Sequence, residues 1–301
     1  MMRYSVPAKT FLVGEYVALD GGPSILLNTS PRFELVLEPA NLGGASSSAT
    51  SLFVGSSPAG RYLAKHPDAF EAQEVEFHDP FKGKGGLGAS SAQFALTAAV
   101  HRGWKAIDPT TFDWPELLAE YRSCAWSGIG TPPSGADVAA QLTGGITFFD
   151  GRGAAAGRLT WNFPGLSFTL LRTGSKLPTH EHLKEKTTAP VEALRTLVQE
   201  TKKAFDTGSE KLLVDTVGAV ALVLADAGLT AERTTALLRG MKAKKDLFLA
   251  AKGCGAMGAD VIVSIHEASK TDDVAEWAEQ ENLEVCGSLE DLSEGLQVSA
   301  S

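Results

Sequence analysis

The sequence predicts an α+β protein built in two layers, and three observations carry that prediction. Strand-like and helix-like runs follow one another without the regular alternation of a doubly wound parallel sheet. Near the N-terminus two apolar runs are split by Asp20-Gly21-Gly22-Pro23, a strong turn signal that marks an antiparallel pair. A chain of 301 residues, 44% hydrophobic and 21% charged, can bury a substantial core as one large or two modest domains.

The elements follow in order. Residues 2–17 and 24–38 are rich in Val, Leu and Phe and read as the two strands. Residues 41–60 read as a loop or lid, and 61–71 as a short helix. SSAQFALTAAVH, from Ser90 to His101, has helix-favouring Ala and Leu behind two capping serines. Pro115–Trp126 reads as a helix opened by proline. A third helix, Ser134–Leu142, runs through Gly144-Gly145 into the strand Ile146–Phe149. The segment Gly151–Gly157 is linker-like and divides the chain into units of 1–160 and 161–301. Beyond it the pattern gives a strand at 166–171 and helices at 190–206, 209–227 and 231–250. A strand at 261–265, a helix at 271–281 and a short strand at 283–286 complete the plan.

Composition excludes several classes. The opening MMRYSVPAKT lacks the basic start and apolar run of a signal peptide, and no stretch approaches ~20 apolar residues. Three scattered cysteines, Cys124, Cys254 and Cys286, without CxxC pairing suit reduced thiols rather than disulfides or zinc. A net charge of -9 without a basic run argues against nucleic acid as partner. A cytoplasmic protein without membrane attachment is expected, as a monomer or homodimer.

The chemistry concentrates in Lys84-Gly85-Gly86-Leu87-Gly88-Ala89-Ser90-Ser91-Ala92, which opens a helix. Glycines let backbone amides approach an anion, and the helix N-terminus adds free N–H groups and partial positive charge. Ser90 and Ser91 offer hydroxyls, and Lys84 a charge. A serine-capped glycine turn would explain this segment alone equally well, and the chain has neither GxxxxGK[ST] nor the protein-kinase motifs. Two further segments shift the balance. Pro7-Ala8-Lys9-Thr10-Phe11-Leu12-Val13-Gly14-Glu15-Tyr16 puts a lysine and a carboxylate near the ends of an apolar strand. Pro133-Ser134-Gly135-Ala136-Asp137 presents one aspartate at a helix start.

Taken together these segments resemble the GHMP kinases, the superfamily of galactokinase, homoserine kinase, mevalonate kinase and phosphomevalonate kinase. The resemblance rests on PAKTFLVGEY at 7–16, GGLGASSA at 85–92 and a degraded glycine motif, Gly255-Ala256-Met257-Gly258-Ala259-Asp260. It implies a two-domain fold with a ribosomal protein S5 domain 2-like N-terminal half and a ferredoxin-like C-terminal half. It also implies ATP and magnesium, with the 84–92 loop around the phosphates and Ser90 helping to hold the metal. Asp137 would act as base or orient the acceptor, with Lys9 beside it favouring the charge that develops in transfer. A related decarboxylase shares this fold and loop.

Details within the motifs resemble phosphomevalonate kinases more than mevalonate kinases. They are Tyr16 after Gly14-Glu15, Lys84 two residues before Gly86-Leu87-Gly88, and Asp260 closing the third motif. Thr173-Gly174-Ser175-Lys176 looks like the substrate-side loop of the isoprenoid kinases. The resemblance therefore implies an acidic acceptor, 5-phosphomevalonate, held by Lys9, Glu15, Tyr16, Ser134, Gly135, Asp137, Thr173 and Lys176. Lys82, Lys84 and Arg172 are further cations within the set. A mevalonate or other small-alcohol kinase is the alternative within the superfamily, and a non-catalytic metabolite-binding relative, suggested by the degraded third motif, the alternative outside catalysis. The glutamate that mevalonate kinases carry before the aspartate is missing, since Cys124-Ala125-Trp126-Ser127 fills that window.

Overall fold

The computed structural model describes residues 1–39, 52–70, 73–151, 155–174, 189–255 and 258–300. Its first half runs β1 (Met2–Val13), α1 (Glu15–Leu19), β2 (Ser24–Pro39), α2 (Pro58–Lys65), β3 (Gln73–His78), α3 (Ala89–His101), α4 (Trp114–Ala125), α5 (Ala136–Thr143), β4 (Ile146–Phe149) and β5 (Ala156–Leu159). Then come β6 (Leu166–Arg172), α6 (Val191–Thr207), α7 (Glu210–Asp226), α8 (Glu232–Ala243), β7 (Ala250–Cys254), β8 (Val261–Glu267), α9 (Thr271–Gln280), β9 (Glu284–Ser288) and β10 (Gln297–Ala300).

Two sheets organise these elements. The first has the order β10-β1-β2-β4-β5, with β3 also on β2. β2 can serve three partners because it is 16 residues long. β1 lies along one side, while Ser24–Leu27 pair with β4 and Glu34–Pro39 with β3 on the other. The second sheet has the antiparallel order β7-β8-β6-β9. Alternation along its strands sends Leu170 and Val263 into the main core, and Leu171 and Ile262 into a second cluster with Met241 and Trp277. Covered on both faces, the central strands β6 (LSFTLLR) and β8 (VIVSIHE) are buried along almost their whole length.

Helices α3 and α5 lie against β1 and β2. Ala92, Ala95, Ala98 and Ala99 of α3 are fully buried, and small side chains permit that close approach. In the other half α6 packs on α7, and α7 on β7. Among the described residues, no helix is long and apolar enough to cross a membrane.

Several expectations need correction. Residues 2–17 are not one strand: the chain turns at Gly14 (φ 100) into α1 before the 20–23 turn. A Cβ at Gly14 would lie 2.7 Å from Ser24 Cα, so the turn admits only glycine. The helix expected at 61–71 starts earlier, where Pro58 follows Ser57 and the Ser57 hydroxyl accepts from Gly60 N at 3.1 Å. Residues 41–51 of the expected loop lie outside the described set. The helix expected at 231–250 stops at Ala243, and Ala250–Cys254 pair with β8 instead, so tertiary pairing overrides an Ala-rich preference. β3, β5 and β10 were not anticipated. β10 pairs with β1, so the end of the chain joins the first sheet. Arg32 holds that return, donating to Ser293 Oγ at 2.7 Å and to the carbonyls of Glu294 and Gly295.

Candidate active site

The glycine loop is shaped as its composition demands. Gly85, Gly86 and Gly88 have φ of 80, 82 and 92, backbone that side-chain-bearing residues rarely adopt. Gly88 caps α3 from this left-handed conformation, and Ser91 Oγ donates back to its carbonyl at 3.0 Å. Ser91 is thus buried and engaged, whereas Ala89 is half-buried and Ser90 is exposed. Leu87 is anchored in the core, and its carbonyl accepts from Lys9 N at 3.0 Å, which fastens the loop to β1.

That fastening brings the two motif residues together. Lys9 Nζ lies 3.6 Å from Asp137 Oδ2, with the lysine side chain 12% and the aspartate 28% exposed. Lys9 comes from β1, and Asp137 from the first turn of α5, entered through Gly135 at φ 82. The approach to α5 is held rigidly. Ser134 Oγ accepts from Ala136 N at 3.2 Å, and Arg122 donates to the carbonyls of Pro133 and Ser134. Glycine is favoured at position 135 by its φ of 82, and a Cβ would in addition meet Leu118 Cδ2 at 2.5 Å and displace it. Tyr121 packs beside this turn, its phenol pushed well above the usual range by burial first and by the Asp137 charge second.

Gln141 escaped the sequence reading. It sits four residues after Asp137 on the same face of α5, fully buried, and donates to the carbonyls of Pro7 at 3.0 Å and Gly88 at 3.1 Å. One amide thus ties β1, the loop and α5 to a common point. A lone glutamine in the apolar run ADVAAQLT was the available signal.

The other expected residues take varied places. Glu15 Oε1 is bonded to Lys252 Nζ at 2.8 Å, and Lys252 is fully buried. Tyr16 is half-buried against the core. Thr173 is buried and hydrogen-bonded to the Ala259 carbonyl, while its amide donates to the Asp260 carbonyl at 3.1 Å. Lys84 Nζ is paired with Glu284 Oε2 at 2.7 Å, Lys82 is exposed, and Lys176 lies outside the described residues. Asp260 is lodged between the two glycine motifs: a Cβ on Gly86 would meet its Cβ at 2.7 Å, and one on Gly255 its Oδ2 at 2.8 Å. Loop and third motif therefore abut. Among the described residues no cluster of three His, Cys, Asp or Glu side chains is placed to hold a metal. A depression of 670 Å³ between Gly165, Glu210, Leu249 and Glu267 contains none of these residues.

The arrangement offers, along one loop, the N-terminus of α3, an exposed serine, and a lysine–aspartate pair at its Gly88 end. Solved structures share the whole fold. A Lin0012 protein from Listeria innocua superposes with a TM-score of 0.75 at 15% identity, covering 100% of this chain and 99% of its own. Streptococcus pneumoniae phosphomevalonate kinase, solved in complex with phosphomevalonate and AMPPNP, gives 0.71 at 14% identity, covering 96% and 99%. Methanococcus jannaschii mevalonate kinase gives 0.69 at 12% identity, covering 98% of each chain. No protein-family model and no curated protein matches the sequence. From end to end, the chain has the two-domain α+β fold of the GHMP kinases.

Proposed function

We propose that the protein is an ATP-dependent kinase acting on a small acidic metabolite, with 5-phosphomevalonate as acceptor. The observation that carries this reading is the Lys9–Asp137 pair, 3.6 Å apart, at the Gly88 end of the glycine loop. Phosphoryl transfer needs positioning and charge neutralisation above all. The loop amides and the start of α3 supply fixed donors for the nucleotide phosphates. Lys9 offsets the repulsion between an anionic acceptor and the transferred phosphoryl group, and Asp137 holds that ammonium in place. A phosphate acceptor already carries most of its second charge at neutral pH, so it requires little proton removal. An alcohol acceptor would instead need Asp137 to take its proton as the new ester forms.

Magnesium fits the donors present, since it prefers a few protein oxygens completed by phosphates and water. Ser90 Oγ, exposed on the first turn of α3, would hold it, and it would neutralise charge on the phosphates. Support for the acidic acceptor comes from the fold shared with a phosphomevalonate kinase and from the cations around the loop. An ADP-release screen over phosphomevalonate, mevalonate, homoserine and simple sugars tests the reading. Turnover of phosphomevalonate is expected. Turnover of mevalonate alone would overturn the acceptor, and ADP formation with none of them would overturn the kinase.

A further inference from the structure

Arg172, at the end of β6, is 6% exposed, yet among the described residues its Nε, Nη1 and Nη2 reach no oxygen or nitrogen acceptor, and only the weakly accepting sulfur of Cys286 lies beside them. That is unusual for a group with five fork-shaped donors, because buried polar groups are nearly always bonded. Its surroundings do not discharge it. The guanidinium carbon lies 5.1 Å from the Phe81 ring centre, a contact that stabilises charge but takes no N–H. Glu284 Oε2 is 3.8 Å from Nε, too far for a hydrogen bond, and its closer partner is Lys84 Nζ at 2.7 Å. The Cys286 thiol supplies no countercharge, because burial holds it up at about 12 despite the pull of Arg172. Among the described ion pairs, the Glu284 carboxylate is thus shared by two cations, Lys84 and Arg172.

The position is as informative as the charge. Lys84 opens the glycine loop, and Phe81 lies three residues before it. Thr173, next to Arg172, is tied to Asp260, against which Gly86 packs. Lys84 and Glu284 are 54% and 46% exposed, so both side chains can swing aside and open the guanidinium.

We propose that Arg172 and Lys84 form an oxyanion subsite at the Lys84 end of the loop, for which the Glu284 carboxylate is an internal stand-in. The ligand chemistry is a phosphoryl group, carried either by the nucleotide or by the acceptor. Arg172 would take two of its oxygens through the planar fork, and Lys84 a third as a point charge. This inference rests on the kinase reading only for the origin of that phosphoryl group.

The test is calorimetric titration of wild type, Arg172→Met, Arg172→Lys and Glu284→Gln with pyrophosphate, and then with ADP and with phosphomevalonate. Arg172→Met should weaken pyrophosphate binding roughly 10- to 100-fold, the loss of one or two charge-assisted hydrogen bonds. Arg172→Lys should recover part of it, and Glu284→Gln should tighten it. A purely structural arginine would instead give a lower melting temperature with unchanged affinity, and that result would overturn the subsite. Weakening carried over to ADP places the subsite with the nucleotide, and weakening carried over to phosphomevalonate places it with the acceptor. Unchanged affinities alongside normal ADP formation refute this inference alone. Altered pyrophosphate binding without ADP formation from any acceptor refutes the kinase alone.

Discussion

Gly88→Ala would strike the site without replacing a charged group. At φ 92 an alanine pays about 1–2 kcal/mol of left-handed strain. Its Cβ would also lie 2.9 Å from Lys9 Cγ, 3.0 Å from Lys9 Cε and 3.0 Å from Gln141 Nε2. The lysine is the softest of these neighbours, so it must move, and it moves from the 3.6 Å pairing with Asp137. Gly103→Ala is the matched control: φ is 66, at the far end of the same helix, and nothing lies within 4 Å of its Cβ. Both variants should lose a similar few degrees of melting temperature from backbone strain. Only Gly88→Ala should lose turnover, by ~10²-fold, the usual scale for displacing a reacting group by about 1 Å. Thermal melts paired with ADP-release kinetics read both. A Gly88→Ala enzyme with near-normal kcat, or a Gly103→Ala enzyme equally impaired, would refute the positioning argument.

Three further outcomes are expected. Asp137→Asn should keep nucleotide affinity within a few-fold and lower kcat, more steeply for an alcohol acceptor than for a phosphate one, as stopped-flow and equilibrium binding would show. Glu15→Gln leaves the fully buried Lys252 ammonium uncompensated and should cost about 3–5 kcal/mol in denaturant unfolding, largely recovered by adding Lys252→Met; simple additivity would sink the pairing. His266 is buried, with Nε2 2.9 Å from the Thr169 hydroxyl and Nδ1 2.9 Å from the Glu267 carbonyl, so Nδ1 carries its proton. Burial lowers its pKa, and the Glu267 carbonyl only partly opposes this. The unfolded chain then binds the extra proton first, so the stability this neutral histidine contributes is present above about pH 6.5 and falls as pH drops below it. His266→Gln should flatten the loss between pH 7 and 5 in pH-dependent denaturation.

Much of this was legible locally. The glycine loop announced itself because glycine is the residue that adopts the φ values found at Gly85, Gly86 and Gly88. The helix expected from 209 does begin there, and the Ser209 hydroxyl accepts from Leu212 N at 3.4 Å. What resisted reading depends on partners distant in sequence. Lys9 and Asp137 meet only through the fold, and their pairing was anticipated from resemblance rather than from pattern. Glu15 was expected beside the substrate, but the reach of Lys252 from β7 is invisible in AAKGC. β3, QEVEFH, is a charged strand with much exposure, and β10 is four residues long, so neither carries an apolar signature. Arg172 was read as a cation available to an acidic ligand, and the structure adds that it is buried with no oxygen or nitrogen acceptor among the described residues.

The central claim is that Lys9, held by Asp137 at the Gly88 end of the loop, serves phosphoryl transfer rather than folding alone. Lys9→Met, assayed for ADP release with phosphomevalonate beside its nucleotide affinity and melting temperature, tests this most directly. A ~10²–10³-fold fall in kcat is expected, with nucleotide affinity within a few-fold of wild type and the fold intact. A folded Lys9→Met enzyme turning over at the wild-type rate would contradict it.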